Sequence, residues 1–479
     1  MRYGCSYVSA ERLAREMGIN RLVDIGKSAL FTAQQGISVA SHNIANVNTP
    51  GYSRQQVTLA ENRPENGSPG QIGTGVHAES IRRSVDSFVD AQLLASRERM
   101  GEFTATSNAL ARLEPLFGDA NNQGIGVGLN EFFGALQDVA TNPNDLSART
   151  VFLSKATTLA SLFNRFASDL TAAQGFLDRQ IGQTVTDVNR LTSQIASLNT
   201  KIASAESSGQ HANDLRDERG VALANLGELI EISSIEDATG QLTIFAGRGQ
   251  VLVDKERTYQ LVGVANLSNN GLLDVHYDAG AGPTTSLNSV IQSGRLKGLL
   301  DVRDQTIQSL QASLDTLASE IVTAVNQQHR LGFGLDGSTT QDFFAPAGTT
   351  ASTIAVSLTN VRQIAASSTA AGVPGNNANA LALADLRSTD FASFGNVTFQ
   401  EYYSTMAGNF GSIAQGVEGN LRAQQILHDQ LTSQRASISG VSMDEELANL
   451  LQYQRSFEAA SRMIIVADEL FQTILSIKR

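Results

Sequence analysis

Lys27 and Ser28, directly after Gly26, are the residue types that close a phosphate-binding loop, in which backbone N–H groups cradle phosphate oxygens and a lysine reaches over them. That loop needs a glycine five residues before Gly26, and Arg21 stands there. Gly124-Ile125-Gly126-Val127-Gly128 has neither the dinucleotide-binding spacing nor a preceding strand, and reads as a flexible loop ahead of a helix from Leu129. His42, His77, His211, His276, His329 and His428 form no i,i+4 pair with an acidic companion, so each reads as a surface or helix-flank residue and not as a ligand. Cys5 is the only cysteine, which excludes an intramolecular disulfide and a thiolate cage. Gly51-Tyr52-Ser53-Arg54 fails the nucleophile-elbow pattern, and Asp444, Glu445 and Glu446 follow Ser442 where helix capping and the helix dipole account for them. The expectation is no catalytic residue, no metal and no cofactor.

The elements must therefore position something other than a reaction. A chain of 479 residues is long enough for two or three domains. Its net charge of -12, without a Lys/Arg block, argues against a nucleic-acid surface. Met463 to Ala467 is the longest apolar run near the end, so no membrane span is expected. Met1 to Glu16 carries Arg2, Arg12 and Arg15 but no apolar segment of the kind a cleaved export signal needs. Met17-Gly18-Ile19-Asn20 reads as the better start, and residues 1–16 are expected to be an unstructured extension.

Val23, Gly26, Leu30, Ala33, Ile37, Ala40, Ile44 and Val47 alternate steps of three and four, which predicts a helix with one apolar seam. Pro50 disfavours helical geometry at Thr49, and Pro50-Gly51 suits the centre of a type II turn. Beyond it Gln55, Val57 and Leu59 alternate as an extended segment would. A second stripe from Leu177 through Ile202 and a third from Ile307 to Ala324 predict two long helices able to cover each other. Between them Leu242–Phe245, Val251–Val253 and Leu273–Tyr277 predict a small β insertion over 236–285. Residues near 332–396 read as irregular or β-hairpin packing before a helix carrying Ile413, Val417, Leu421, Leu427 and Leu431. In the final helix Leu450, Phe457, Ile464 and Phe471 hold one seam position and Tyr453, Ala460, Ala467 and Ile474 the other. Both terminal seams alternate large and small side chains, so each could fill the gaps of the other. Pattern alone leaves open whether these ends dock on their own body or order only when many subunits bundle.

Ser28-Ala29-Leu30, and Ala40-Ser41-His42-Asn43-Ile44-Ala45-Asn46-Val47-Asn48-Thr49-Pro50-Gly51-Tyr52-Ser53-Arg54-Gln55, resemble the N-terminal signature of flagellar rod, hook and hook-associated axial proteins. Within that group the chain is most similar to the hook-filament junction family, from Met17 to the end. Gly73–Val76, Leu129–Phe133, Asn142-Pro143 with Arg149, Asn213–Arg219 and Gly440–Glu446 also carry the likeness. The resemblance implies export unfolded through the flagellar type III apparatus without cleavage, and an extracellular collar of self-associating subunits. It places a hook subunit on one side, a second junction protein or the filament on the other, and an export chaperone on the C-terminal helix. The expected fold is mainly α with β insertions. Residues 17–60 and 435–479 pair in a coiled-coil-like terminal domain, 61–235 and 286–434 form an elongated helical-bundle body, and the β insertion faces outward. The expected assembly interface joins Leu30, Ala33, Ile37, Ala40 and Ile44 with Leu450, Tyr453, Phe457, Ile464, Phe471 and Ile474, and adds Asn43, Asn46, Thr49, Pro50, Gly51 and Tyr52. The competing readings are another axial subunit, a secreted wall hydrolase and a coiled-coil adhesin.

Overall fold

The computed structural model describes residues 5–67, 70–117 and 124–476. Helix α1 (Cys5–Ala45) is followed by an antiparallel ribbon of β1 (Gln55–Glu61) and β4 (Val76–Arg83), with the short hairpin β2 (Glu65–Gly67) and β3 (Gly70–Ile72) between them. Then come α2 (Ser87–Leu113), α3 (Ile125–Thr141), the 61-residue α4 (Leu146–Glu206) and α5 (Asn213–Leu229). At 1.5 Å per residue α4 is about 90 Å long, the spine of the body.

Two antiparallel sheets follow. One has the order β5-β6-β7-β8, from β5 (Ile232–Glu236), β6 (Leu242–Ala246), β7 (Gln250–Asp254) and β8 (Arg257–Thr258). The other is β11-β10-β9, from β9 (Gln260–Asn266), β10 (Leu272–Asp278) and β11 (Thr285–Ser286). Helix α6 (Gly294–Asp301) runs through a π turn (Val302–Thr306) into α7 (Ile307–His329), and α8 (Ala378–Asp385), α9 (Phe399–Ser439) and α10 (Met443–Ser476) complete the chain. The fold is mainly α with small β insertions, as the periodicities predict.

The helix starts follow the side chains that can accept orphan N–H groups. Asp86 accepts from Phe88 and Val89, Asp145 from Ser147, and Thr398 forms a capping box with Glu401 at the head of α9. Residues 5–16, expected to lack structure, continue α1; Glu11-Arg12-Leu13-Ala14-Arg15-Glu16 are helix formers with no breaker before Gly18.

One continuous apolar core runs through α2 to α9 and the sheets. Its centre is aromatic: Phe132, Phe152, Phe343 and Phe344 lie within 6.2 Å of one another, ring centre to ring centre, in the pairs that touch. The expected mutual cover of the second and third stripes is only partial. The C-terminal half of α4 is covered chiefly by α5 and the sheets, because polar residues in its stripe hold strands by their main chain: Asn189 with Leu261, Asn199 with Leu242 and Lys255, and Asp178 with Leu273. On α9, Ile413 and Leu427 point outward, while Tyr403, Met406, Phe410, Gln424 and Leu431 face inward and Gln424 bonds Ser96 at 2.8 Å. The 332–396 segment is irregular, held by isolated bridges such as Phe344 with Val356, with α8 as its one α-helix.

Candidate functional site: the joined chain ends

The ends of the chain meet. A Cβ at Gly26 would come within 2.8 Å of Ile464, one at Gly36 within 2.5 Å of the Tyr453 ring, and Asn43 bonds Glu446, so α1 and α10 run antiparallel. That register sets Leu30 opposite Ala460, Ala33 opposite Phe457 and Ala40 opposite Leu450, large against small as the two seams predict. Ala33, Ala40, Ala460 and Ala467 are buried there, and Leu30, Ile37, Ile44, Leu450, Tyr453, Phe457 and Ile464 are half-buried. Phe471 is exposed at the open end of the seam, and the side chain of Ile474 lies outside the described residues.

The signature residues after the seam do a different job. Tyr52 N–H donates to Thr49 C=O at 3.2 Å, and Gly51 has φ +82°, the type II turn that Pro50-Gly51 predicts. Asn46 ties this turn to the helix, donating to His42 C=O and accepting from Thr49 Oγ1, both at 3.0 Å. Asn43, 1% exposed, donates to Gln55 C=O at 2.9 Å and Glu446 at 3.1 Å, and accepts from Gln55 N–H at 2.9 Å and Tyr52 Oη at 2.7 Å. Burial, with Asp214, Asp217 and Glu446 nearby, holds the Tyr52 phenol well above its ordinary range, so it remains a donor. Thr49 and Pro50 stay exposed at the tip.

Helix α5 closes the joint from the body side, in a way the sequence did not announce. Asp217 accepts from Ser53 N–H at 2.8 Å and Arg83 at 2.7 Å, Asp214 accepts from Gln55 at 2.7 Å, and Asn213 donates to Ile81 C=O at 2.9 Å. One turn on, Arg216 grips Glu206 at 2.6 Å and holds its carboxyl down to about 2, while Arg219 reaches Asn199 at 2.9 Å and Glu236 at 2.9 Å. The Asn213–Arg219 run marked the region; that Asp214 and Asp217 face the terminal turn while Arg216 and Arg219 face α4 and the sheet could not be read from it.

Around this joint much of α10 is uncovered. Leu447, Leu451, Met463, Ile465, Val466 and Leu470 are exposed, and two of them, Met463 and Val466, line a shallow groove with Leu22 of α1, rimmed by Arg455, Glu458 and Arg462.

The residues weighed for chemistry are placed by packing. Ser28 donates back to Ile25 C=O at 2.9 Å within α1, and Gly75 approaches it too closely to leave room for phosphate. Ile125 to Gly128 form the first turn of α3 and not a loop, because Gly126 and Gly128 admit Tyr403 and Leu162 against the helix. Contrary to expectation His329 is buried, 1% exposed, with Nδ1 bonded to Gln341 C=O at 2.8 Å and Nε2 accepting from Ala365 N–H at 3.0 Å. Burial lowers its pKa, and the neutral tautomer satisfies both nitrogens. Buried Arg149 spends its guanidinium on Pro143 C=O at 2.8 Å and Ile364 C=O at 2.7 Å. Among the described residues no group of three or more His, Cys, Asp or Glu could hold a metal, and no helix is long and apolar enough to cross a membrane.

The comparisons match this geometry piece by piece. Residues 24–52 match the profile of the flagella basal body rod protein, residues 432–477 that of the flagellar basal body rod FlgEFG protein C-terminal, and residues 110–344 that of the flagellar hook-associated protein FlgK helical domain. Paired ends of this kind around a helical body define a protein of the flagellar axial class. Flagellar hook-associated protein 1 of Bacillus subtilis is 28% identical over 493 aligned positions, 95% of this chain and 97% of the relative. The namesake in Salmonella typhimurium is 25% identical, covering 96% of this chain and 100% of the relative. The solved flagellar hook junction protein FlgK from Burkholderia pseudomallei shares the fold at a TM-score of 0.66 and 20% identity, over 73% of this chain and 100% of that one. The chain belongs to the flagellar hook-associated protein 1 family.

Proposed function

We propose that this chain is a structural, non-enzymatic subunit that joins hook to filament in the bacterial flagellum and allows filament subunits to add beyond it. The observation that carries the reading is the exposed second apolar face of the α1–α10 pair, from Leu22 to Met463, Val466 and Leu470. A pair already closed on one seam needs no further apolar side for its own pairing, whereas subunits side by side in a tube would bury it. Self-association into a collar follows, with a hook subunit on one side and a second junction protein or the filament on the other. An export chaperone that covers the same face of α10 would keep it from aggregating, and export without a cleaved signal would deliver the subunit to the extracellular flagellum.

Another axial subunit is the nearest alternative, and the helical body from α2 to α5, matched by the hook-associated helical domain, speaks for the junction. Deleting the gene and viewing cells by electron microscopy tests the assignment: hooks without filaments are expected, with flagellin lost to the medium. Filamented, swimming cells would defeat it and favour an adhesin, and peptidoglycan release by the purified chain would favour a hydrolase.

A further inference from the structure

We infer that His329 is an acid-sensitive lock in the helical body: in its neutral form it fastens a buried strap, Ile364–Ser367, to the end of α7, and its protonation releases the strap together with α8. The four strap residues are buried although they belong to no helix or sheet, so their main-chain groups need partners from elsewhere. Different elements supply them. Arg149 of α4 donates to Ile364 C=O at 2.7 Å, and His329 of α7 accepts from Ala365 N–H at 3.0 Å. Asn379 of α8 donates its side-chain amide to Ala365 C=O at 2.6 Å and its own N–H to Ala366 C=O at 3.1 Å. Ser367 exchanges main-chain bonds with Phe333 at 2.8 and 3.3 Å.

Of the side chains that hold the strap, only the imidazole changes charge between about pH 5 and 8. Its Nδ1–H donates to Gln341 C=O at 2.8 Å, which leaves the Nε2 lone pair as the acceptor for Ala365 N–H. Both partners are main-chain groups, and neither can exchange its role. A proton on Nε2 therefore sets two donors face to face and puts a charge into a buried site walled by the Phe343 ring, 5.6 Å away centre to centre, and by the Arg149 guanidinium. The strap itself brings no titratable group, and Asp342 on the adjoining loop is engaged by Arg330 at 2.6 Å. Burial, with Arg149, lowers the His329 pKa from its ordinary 6.5, against the opposing pull of Gln341 C=O and Asp342. The lock is thus complete above about 6.5 and is lost as pH falls through the folded value. Helix α8 follows the strap because its first turn hangs on it, by Asn379 and by Ala380 N–H on Ala366 C=O at 3.1 Å.

Amide hydrogen exchange of the purified full-length chain, read by mass spectrometry from about pH 7.5 to about 5 and corrected for the intrinsic rate, tests the lock. Exchange of the histidine C2 protons in the same samples follows the titration of His329 itself. The expected result is protection over Ile364–Leu383 that falls about tenfold or more with acid, at a midpoint shared with His329, while Leu177–Ile202 stays protected. His329→Gln, which can still accept from Ala365 N–H but does not titrate, should remove the pH dependence. Asp342→Asn keeps the imidazole and removes a charge that favours its protonation, so the midpoint should move to lower pH. Protection that does not vary with pH, an equal fall in His329→Gln, or a midpoint that His329 does not share and Asp342→Asn does not move would each overturn the inference. The measurement needs no assembled flagellum, so its failure leaves the junction reading standing.

Discussion

Asn43 makes four hydrogen bonds from one buried amide, and each partner belongs to a different piece of the joint: both main-chain groups of Gln55, the Tyr52 hydroxyl and the Glu446 carboxylate. Asn43→Ala takes the partner from the buried main-chain groups of Gln55 and from the buried Glu446 carboxylate, at a cost of about 1–3 kcal/mol, which urea unfolding should register as an earlier midpoint. A second residue carries a pH signature in the body. Burial pushes the Glu98 carboxyl up to about 7, against bonds from Ile232 N–H at 3.0 Å and Ser293 Oγ at 3.2 Å. Its folded value lies above the ordinary value of 4.5, so ionisation costs stability: the contribution is full below 4.5 and is lost as pH rises towards 7. Melting temperature should therefore fall between pH 4.5 and 7 on account of this group, and Glu98→Gln should flatten that part of the profile.

At the scale of elements, the antiparallel α1–α10 pair depends on glycine and alanine standing where the opposite helix is bulky. Phe457→Asp puts a charge against Ala33 in the seam and should abolish assembly, while far-UV circular dichroism retains the signal of the body, whose core has no residue from α10. Loss of helicity across the whole molecule would show the ends to be part of one cooperative core. Gly36→Leu should do the same from the other side, because the Tyr453 ring already occupies the space of a Cβ. These seams were legible in the sequence because heptad spacing is local. The seam of α9 was read less well: Ile413 and Leu427 fit the spacing yet face water, and Gln424 lies inside because Ser96 of α2 supplies its partners.

At the scale of the whole molecule, the separation of the ends from the apolar core predicts a body that stands alone. A chain trimmed to residues 84–439 should melt cooperatively within a few degrees of the full-length protein, since a domain's melting is set by the apolar area it buries. A broad, non-cooperative transition would mean that the ends brace the body. Limited proteolysis of the full-length monomer adds to this: cleavage should begin in the terminal unit and leave a resistant fragment containing α3, α4 and α7.

Periodicity, turn chemistry and the signature around Asn43–Gln55 determined the helices, the turn at Pro50-Gly51, the matched terminal seams and the family, because each is written in residues close together along the chain. The tertiary structure alone decided which polar side chains close the joint. Asp217 lies 164 positions from Ser53, and Glu446 lies 403 from Asn43. Spacing carries no record of such meetings. The same holds for His329 and Arg149, whose burial depends on main-chain carbonyls and N–H groups brought to them by distant loops. A buried polar group is stable only beside its partners, and folding is what supplies them.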